Sequence, residues 1–219
     1  MSGFKAIIFD MDGVLVDDFE PWLKFDKSFL QQFGLVPDAE YQVFVNGRSQ
    51  EEVASWLKKK YKIKESLEEI WQSKMNYIKK VYEIEAKPMV GIENLLEKIK
   101  GNGLRIALCS AAKMWMIETV LDRFGWHKYF EAVVSSDHVS YRGKPNPEIY
   151  LYTAKLLGID PVDCVVVEDA ENGVAAANSA GMKCIGFKDS RFQLFDDLSK
   201  ADLIVNSLED EKILKFLNI

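Results

Sequence analysis

The chain has 219 residues, 48% hydrophobic and 28% charged, which is enough apolar material for one sizeable soluble domain or a domain with a smaller insertion. Its formal charge of −6 argues against broad, non-specific nucleic-acid binding, which needs basic surface, but leaves room for a local basic pocket holding an anionic small molecule. No apolar stretch approaches the length of a membrane span, and MSGFKAIIFD lacks the features of a signal peptide, so a cytoplasmic chain without membrane contact is expected.

The first apolar run, FKAIIF (4–9), reads as a buried strand that ends abruptly in Asp10, with Asp12, Asp17 and Asp18 close behind. The next strand starts only at residue 104, far beyond an ordinary crossover of roughly a dozen residues. No convincing strand lies in that gap. It carries helical patterns near 20–33, 50–60 and 66–84, and its lysine-rich KKKYKIK (58–64) reads as a solvated helix end. Residues 17–86 are therefore expected to form a helical cap inserted into a core made of 1–16 and 87–219. Connections near Val16–Asp18 and Glu85–Val90 would be its hinge.

Beyond the gap, strand and helix alternate. IENLLEKIK (92–100) is helical, LRIALC (104–109) a strand, MIETVLDRF (116–124) a helix ending at Gly125, and AVV (132–134) a strand. PEIYLYTAKLLG (147–158) is a helix with proline at its start and glycine at its end, and CVVV (164–167) is a strand. ENGVAAANSAG (171–181) is a helix whose small residues allow close approach to a sheet. KCIGF (183–187) is a further strand, and LIV (203–205) an edge strand. This order predicts an α/β fold, a doubly wound parallel sheet with right-handed crossovers. Cys109, Cys164 and Cys184 lie in or beside strand runs, show no metal-type spacing, and read as small buried hydrophobes in a reducing compartment. His127 and His138 have no partner spacing and read as surface or structural residues.

In open α/β sheets ligands bind outside the carboxyl ends of the strands. Three apolar runs end in polar groups: Asp10, Ser110, and Glu168-Asp169. GKPNPE (143–148) adds Lys144 in the connection before a helix. Four carboxylates on one sheet edge would repel one another, and a hard divalent cation with oxygen ligands is their natural partner. Mg²⁺ with one or two carboxylates, a fixed lysine charge and a hydroxyl beside a helix start suit phosphoryl transfer, where positioning and charge neutralisation dominate.

These motifs resemble the four of the haloacid dehalogenase (HAD) superfamily. Asp10-Met11-Asp12-Gly13-Val14 matches the first, Ser110 the second, Lys144 the third and Glu168-Asp169 the fourth. EDAENGVAAANSAGM (168–182) is similar to the subgroup that contains β-phosphoglucomutase and sugar-phosphate phosphatases. The resemblance implies a HAD-like Rossmannoid core with an inserted α-helical cap domain. It implies Asp10 as nucleophile, Asp12 as general acid and then base, and Lys144 as the group that stabilises Asp10 and the transferring phosphoryl group. Ser110 and the Ala111 backbone would hold phosphate. Mg²⁺ would be bound by the side chains of Asp10 and Asp169, by Glu168 directly or through water, and by the Asp12 carbonyl. Gly13 would permit the sharp turn leaving the strand.

Asp12 argues against dehalogenation and phosphonate hydrolysis, whose enzymes in this superfamily usually lack it. Trp22, Asp18 and Asn46 stand where the mutase carries histidine, threonine and lysine. Asp17 and Asp18 are read as hinge residues outside the catalytic pair, and Trp22 as packing within the cap. Asn46-Gly47-Arg48-Ser49 precedes a cap helix, and relatives present similar segments to the active site, so Asn46 and Arg48 are expected to contact substrate. The reading is a Mg²⁺-dependent phosphatase for a small phosphorylated metabolite, a sugar phosphate first, working as a monomer or weak homodimer. A β-phosphoglucomutase-type mutase is the alternative, and a catalytically silent binding protein a third.

Overall fold

The structure, a computed structural model, describes residues 3–45, 48, 50–139, 143–189 and 197–219. Six parallel strands form one sheet in the order β5 (Ala132–Val134), β4 (Arg105–Cys109), β1 (Ala6–Phe9), β6 (Cys164–Glu168), β7 (Lys183–Phe187), β8 (Leu203–Val205). In register, Ile7 lies between Ile106 of β4 and Val165 of β6. The order reverses at β1: the chain builds outward through β4 and β5 on one side, then through β6, β7 and β8 on the other. That reversal opens a crevice at the carboxyl ends of the central strands.

The continuous apolar runs exist because both faces are covered. All four residues of β1 are fully buried. Ile7 and Phe9 join Ile106, Leu108, Val165 and Val167 on one face, under α5 (Ile92–Gly101), α6 (Met114–Phe124) and α9 (Lys212–Leu217). Ala6 and Ile8 join Ala107, Cys109, Val166 and Cys184 on the other, under α7 (Glu148–Leu157) and α8 (Glu171–Ser179). Each fully buried Ile or Phe contributes roughly 1.5–3 kcal/mol relative to exposure, so the two faces supply the dominant favourable free energy of this sheet. The three cysteines are buried and free, and burial pushes their thiols up, to about 12 at Cys109 and about 11 at Cys164.

Between Phe19 and Lys80 the chain is helical: α1 (Phe19–Gln31), α2 (Ala39–Val45), α3 (Gln50–Tyr61) and α4 (Leu67–Lys80). These helices bury a third apolar cluster of their own, with Phe25, Phe29, Leu30, Tyr41, Leu57 and Ile70. A capping box fixes the start of α4: Ser66 accepts from Glu69 N–H and the Glu69 carboxylate accepts from Ser66 N–H. The lysine-rich end of α3 is not simply solvated. Lys58 donates to the carbonyls of Ile63 and Glu65, and Lys60 pairs with Glu40 at 2.5 Å.

Three features depart from the sequence reading. The gap does contain strands: β2 (Val16–Asp17) and β3 (Lys87–Pro88) pair antiparallel, Val16 opposite Pro88 and Asp17 opposite Lys87. Two residues per strand are too few for an alternation pattern. The helical pattern at 66–84 is broken, because α4 gives way to a π-helical turn, Val81–Glu85, in which Ala86 N–H reaches back to Val81. Helices α2 and α9 also form, and their seven and six residues are too short for periodicity to announce.

Candidate active site

The polar groups that end β1, β4 and β6 meet in the crevice. Past Phe9 the chain folds into a tight loop in which the Met11 carbonyl accepts N–H groups from Val14, Leu15 and Val16 at 3.3, 2.8 and 3.0 Å. Met11, Val14 and Leu15 are fully buried and anchor that loop, so Asp10 and Asp12 project from a rigid support. Gly13 is obligatory twice over. Its φ is +75°, and a Cβ there would lie 2.0 Å from an Asp169 carboxylate oxygen.

Lys144 is the hub, 1% exposed, and its ammonium donates to Asp10 Oδ1 at 2.6 Å and to Glu168 Oε1. The two carboxylates hold its pKa well above the usual lysine range, so the charge is permanent. Burial pushes the Asp10 carboxyl up to about 8 against the attraction of Lys144, with Glu168 and Asp12 pushing the same way. Glu168 is held on all sides: Tyr150 of α7 donates to Oε1 at 2.6 Å, and the N–H groups of Asp169 and Ala170 donate to Oε2 at 3.1 and 3.3 Å. The small-residue pattern of α8 has its local reason here. A Cβ at Gly173 would fall 2.0 Å from the Glu168 carboxyl.

Carboxylate oxygens of Asp10, Glu168 and Asp169 all lie within 4.8 Å of one another. This oxygen-only donor set suits a hard divalent cation such as Mg²⁺, and such an ion would offset the mutual repulsion that raises Asp10.

Ser110 is 1% exposed, its N–H bonded to the Val134 carbonyl and its hydroxyl accepting from Ala112 N–H. Helix α6 begins only at Met114, whose N–H is taken by Asp137 at 2.9 Å. The loop residues Ser110, Ala111 and Ala112 border the crevice, together with Met116 in the first turn of α6.

Asp18 keeps its place at the hinge, between β2 and α1, but borders the cavity. It is 2% exposed and belongs to the site. Burial, and then the charge and hydrogen bonding of Asp12, hold its carboxyl well above the usual range. Trp22 Nε1 donates to the other oxygen of Asp18 at 2.7 Å, and Trp22 lines the cavity as well as packing on Phe25 and Tyr82. Tyr82, delivered by the π-helical turn, donates to Asp12 Oδ1 at 2.8 Å. Arg123 of α6 grips that turn through the carbonyls of Tyr82 and Ile84. Burial raises the Asp12 pKa, while the hydrogen bonds from Asp18 and Tyr82, the Lys144 charge and a bond to Ser110 oppose it.

The cavity, about 150 Å³, runs from Asp10, Asp12, Asp18, Ser110 and Asp169 toward the helices. Its far end is bordered by Asp26, Tyr41, Gln42, Arg48 and Lys74. Arg48 thus borders the cavity; its guanidinium lies 4.5 Å from the Phe44 ring centroid, and its buried Nε has no hydrogen-bond partner among the described residues. Asn46 lies outside the described residues. Sequence reasoning missed Asp18, Tyr82 and Tyr150 as site residues. The two tyrosines sat inside helical patterns with nothing to set them apart from core aromatics.

A family model for haloacid dehalogenase-like hydrolases matches residues 7–187. The chain is 32% identical over 181 residues to a phosphorylated carbohydrates phosphatase from Thermotoga maritima, covering 83% of each chain. It is 30% identical over 213 residues to the bifunctional riboflavin kinase/FMN phosphatase of Arabidopsis thaliana, spanning 97% of itself but 55% of that protein. The crystal structure of β-phosphoglucomutase from Clostridium difficile superposes with a TM-score of 0.79 at 29% identity, covering 98% of this chain and 97% of that one.

Proposed function

Because the chain belongs to the haloacid dehalogenase-like hydrolase family, we propose that it is a Mg²⁺-dependent phosphatase of a small sugar phosphate that works through an aspartyl-phosphate on Asp10. Its class is that of HAD-type phosphoric monoester hydrolases. The observation that carries the proposal is the placement of Asp10, bonded to Lys144 at 2.6 Å, in one cavity with Asp12, Ser110 and Asp169.

Asp10 attacks phosphorus with one carboxylate oxygen, and the P–O bond to the sugar breaks. The leaving oxygen takes a proton from Asp12. Asp12, now ionised, takes a proton from water, whose oxygen attacks the aspartyl-phosphate, so that phosphate departs and Asp10 is restored. Lys144 holds Asp10 in place and neutralises charge on the phosphoryl oxygens, and Ser110 with the Ala111 backbone orients them. Asp10, Asp169 and the Asp12 carbonyl would hold Mg²⁺, which would supply electrostatic stabilisation of the transferring group. Both oxygens of Glu168 already accept protein hydrogen bonds, which favours its acting through water over direct ligation. Residues 17–86 act as a cap that sets substrate choice, and Arg48 contacts the substrate from it.

Asp10→Asn should abolish Mg²⁺-dependent phosphate release, and full activity in that variant refutes the nucleophile assignment. The likeness to β-phosphoglucomutase favours one alternative, transfer within a sugar phosphate. Incubation with β-glucose 1-phosphate and its bisphosphate activator separates the two: isomerisation faster than phosphate release would establish a mutase.

A further inference from the structure

The far end of the cavity holds polar groups that the hydrolytic steps do not use. Asp26 of α1 is 7% exposed, Tyr41 of α2 is fully buried and Lys74 of α4 is 1% exposed, yet all three border the cavity. Tyr41 donates its hydroxyl proton to Asp26 Oδ1. The Lys74 ammonium lies 5.1 Å from the Phe29 ring centroid and 5.4 Å from that of Phe25. Burial pushes the Asp26 carboxyl up to about 6 even though Tyr41 and Lys74 pull it down. Three helices thus bring a carboxylate, a phenol and an ammonium into the apolar interior of α1–α4, where such groups are costly unless they serve one another or a ligand.

Taken together the trio carries no net charge, and it presents both donors and an acceptor. That pattern matches neighbouring hydroxyl groups, each of which donates one hydrogen bond and accepts another. Trp22, between the two ends of the cavity, offers an apolar face for the C–H side of a carbon chain. We propose that Asp26, Tyr41 and Lys74 form a polyol subsite that selects a phosphomonoester with adjacent hydroxyls on the end remote from its phosphate. The subsite rests on the phosphatase reading only in that the phosphate lies at the Asp10 end.

The test compares hexitol 6-phosphate with hexyl phosphate, which has the same chain length and no hydroxyls. The unaltered chain with Mg²⁺ should favour the hexitol ester in kcat/KM by roughly tenfold to a hundredfold, since a site built to bond hydroxyls is left unsatisfied without them. Lys74→Met and Tyr41→Phe should each shrink that ratio severalfold. Both esters are read on the same sample, so partial loss of folded protein cancels. A purely structural trio would lower both rates together and leave the ratio unchanged, which overturns the proposal, as does a ratio near one in the unaltered chain. If neither ester is hydrolysed, calorimetric binding to Asp10→Asn with Mg²⁺ decides. Tighter binding of the hexitol ester, lost in Asp10→Asn/Lys74→Met, upholds the subsite while the phosphatase reading fails; equal or absent binding of the two esters sinks the subsite.

Discussion

Replacing Lys144 by methionine keeps most of the side-chain volume and removes one charge. In the native structure that charge sits 1% exposed between Asp10 and Glu168, bonded to both. Methionine would leave two buried carboxyls facing each other without compensation, and breaking a buried pair by removing one partner costs about 3–5 kcal/mol. For a chain of this length that corresponds to a fall in Tm of roughly 6–20 °C. The sign of the pH dependence follows from Asp10. Its native pKa, raised to about 8, lies above its unfolded value, so the folded state binds a proton the unfolded state lacks. Stability therefore falls as pH rises from about 4 through about 8. Without Lys144 the Asp10 pKa climbs further and the window widens upward. The penalty should be larger at pH 9 than at pH 5, because at pH 5 Asp10 is already neutral and only Glu168 loses its partner. Urea unfolding of metal-free protein, followed by tryptophan fluorescence at the two pH values, measures both numbers. A loss below about 1 kcal/mol at pH 9, or an equal loss at pH 5, would refute the view that this lysine compensates buried charge.

Mg²⁺ should raise Tm more at pH 8 than at pH 5, because proton and cation compete for Asp10; calorimetric scans with and without metal read this directly. Gly173→Ala should destabilise the chain by about 1–3 kcal/mol in urea melts, since its Cβ would drive the Glu168 carboxyl off Lys144 and Tyr150. Tyr82→Phe removes a hydrogen bond that lowers the Asp12 pKa, so the alkaline limb of the pH–rate profile should move upward while KM changes little.

The central strands of the main sheet were legible as apolar runs covered on both faces, the edge strands as short apolar runs, and Asp10, Ser110 and Glu168 because each ends such a run. Lys144 was legible only through its motif, since no pattern in GKPNPE announces a buried ammonium. What stayed hidden was non-local. The β2–β3 pair joins residues some seventy apart, and Tyr82 reaches Asp12 across the same interval. Asp18 was read only as a hinge residue because sequence gives no sign of the Trp22 ring and the Asp12 carboxyl that enclose it.

The partners of Asp12 carry an engineering consequence. Two of its side-chain contacts, Asp18 and Tyr82, stand at opposite ends of the helical segment, one just after β2 and the other just before β3. Transplanting a foreign set of helices between those strands would change the basicity of Asp12 along with the shape of the pocket. On the proposed reading, substrate choice and proton transfer are written into one stretch of sequence. A chimera that keeps Asp18, Trp22 and the Val81–Glu85 turn, with Arg123 to hold it, would vary the first while preserving the second.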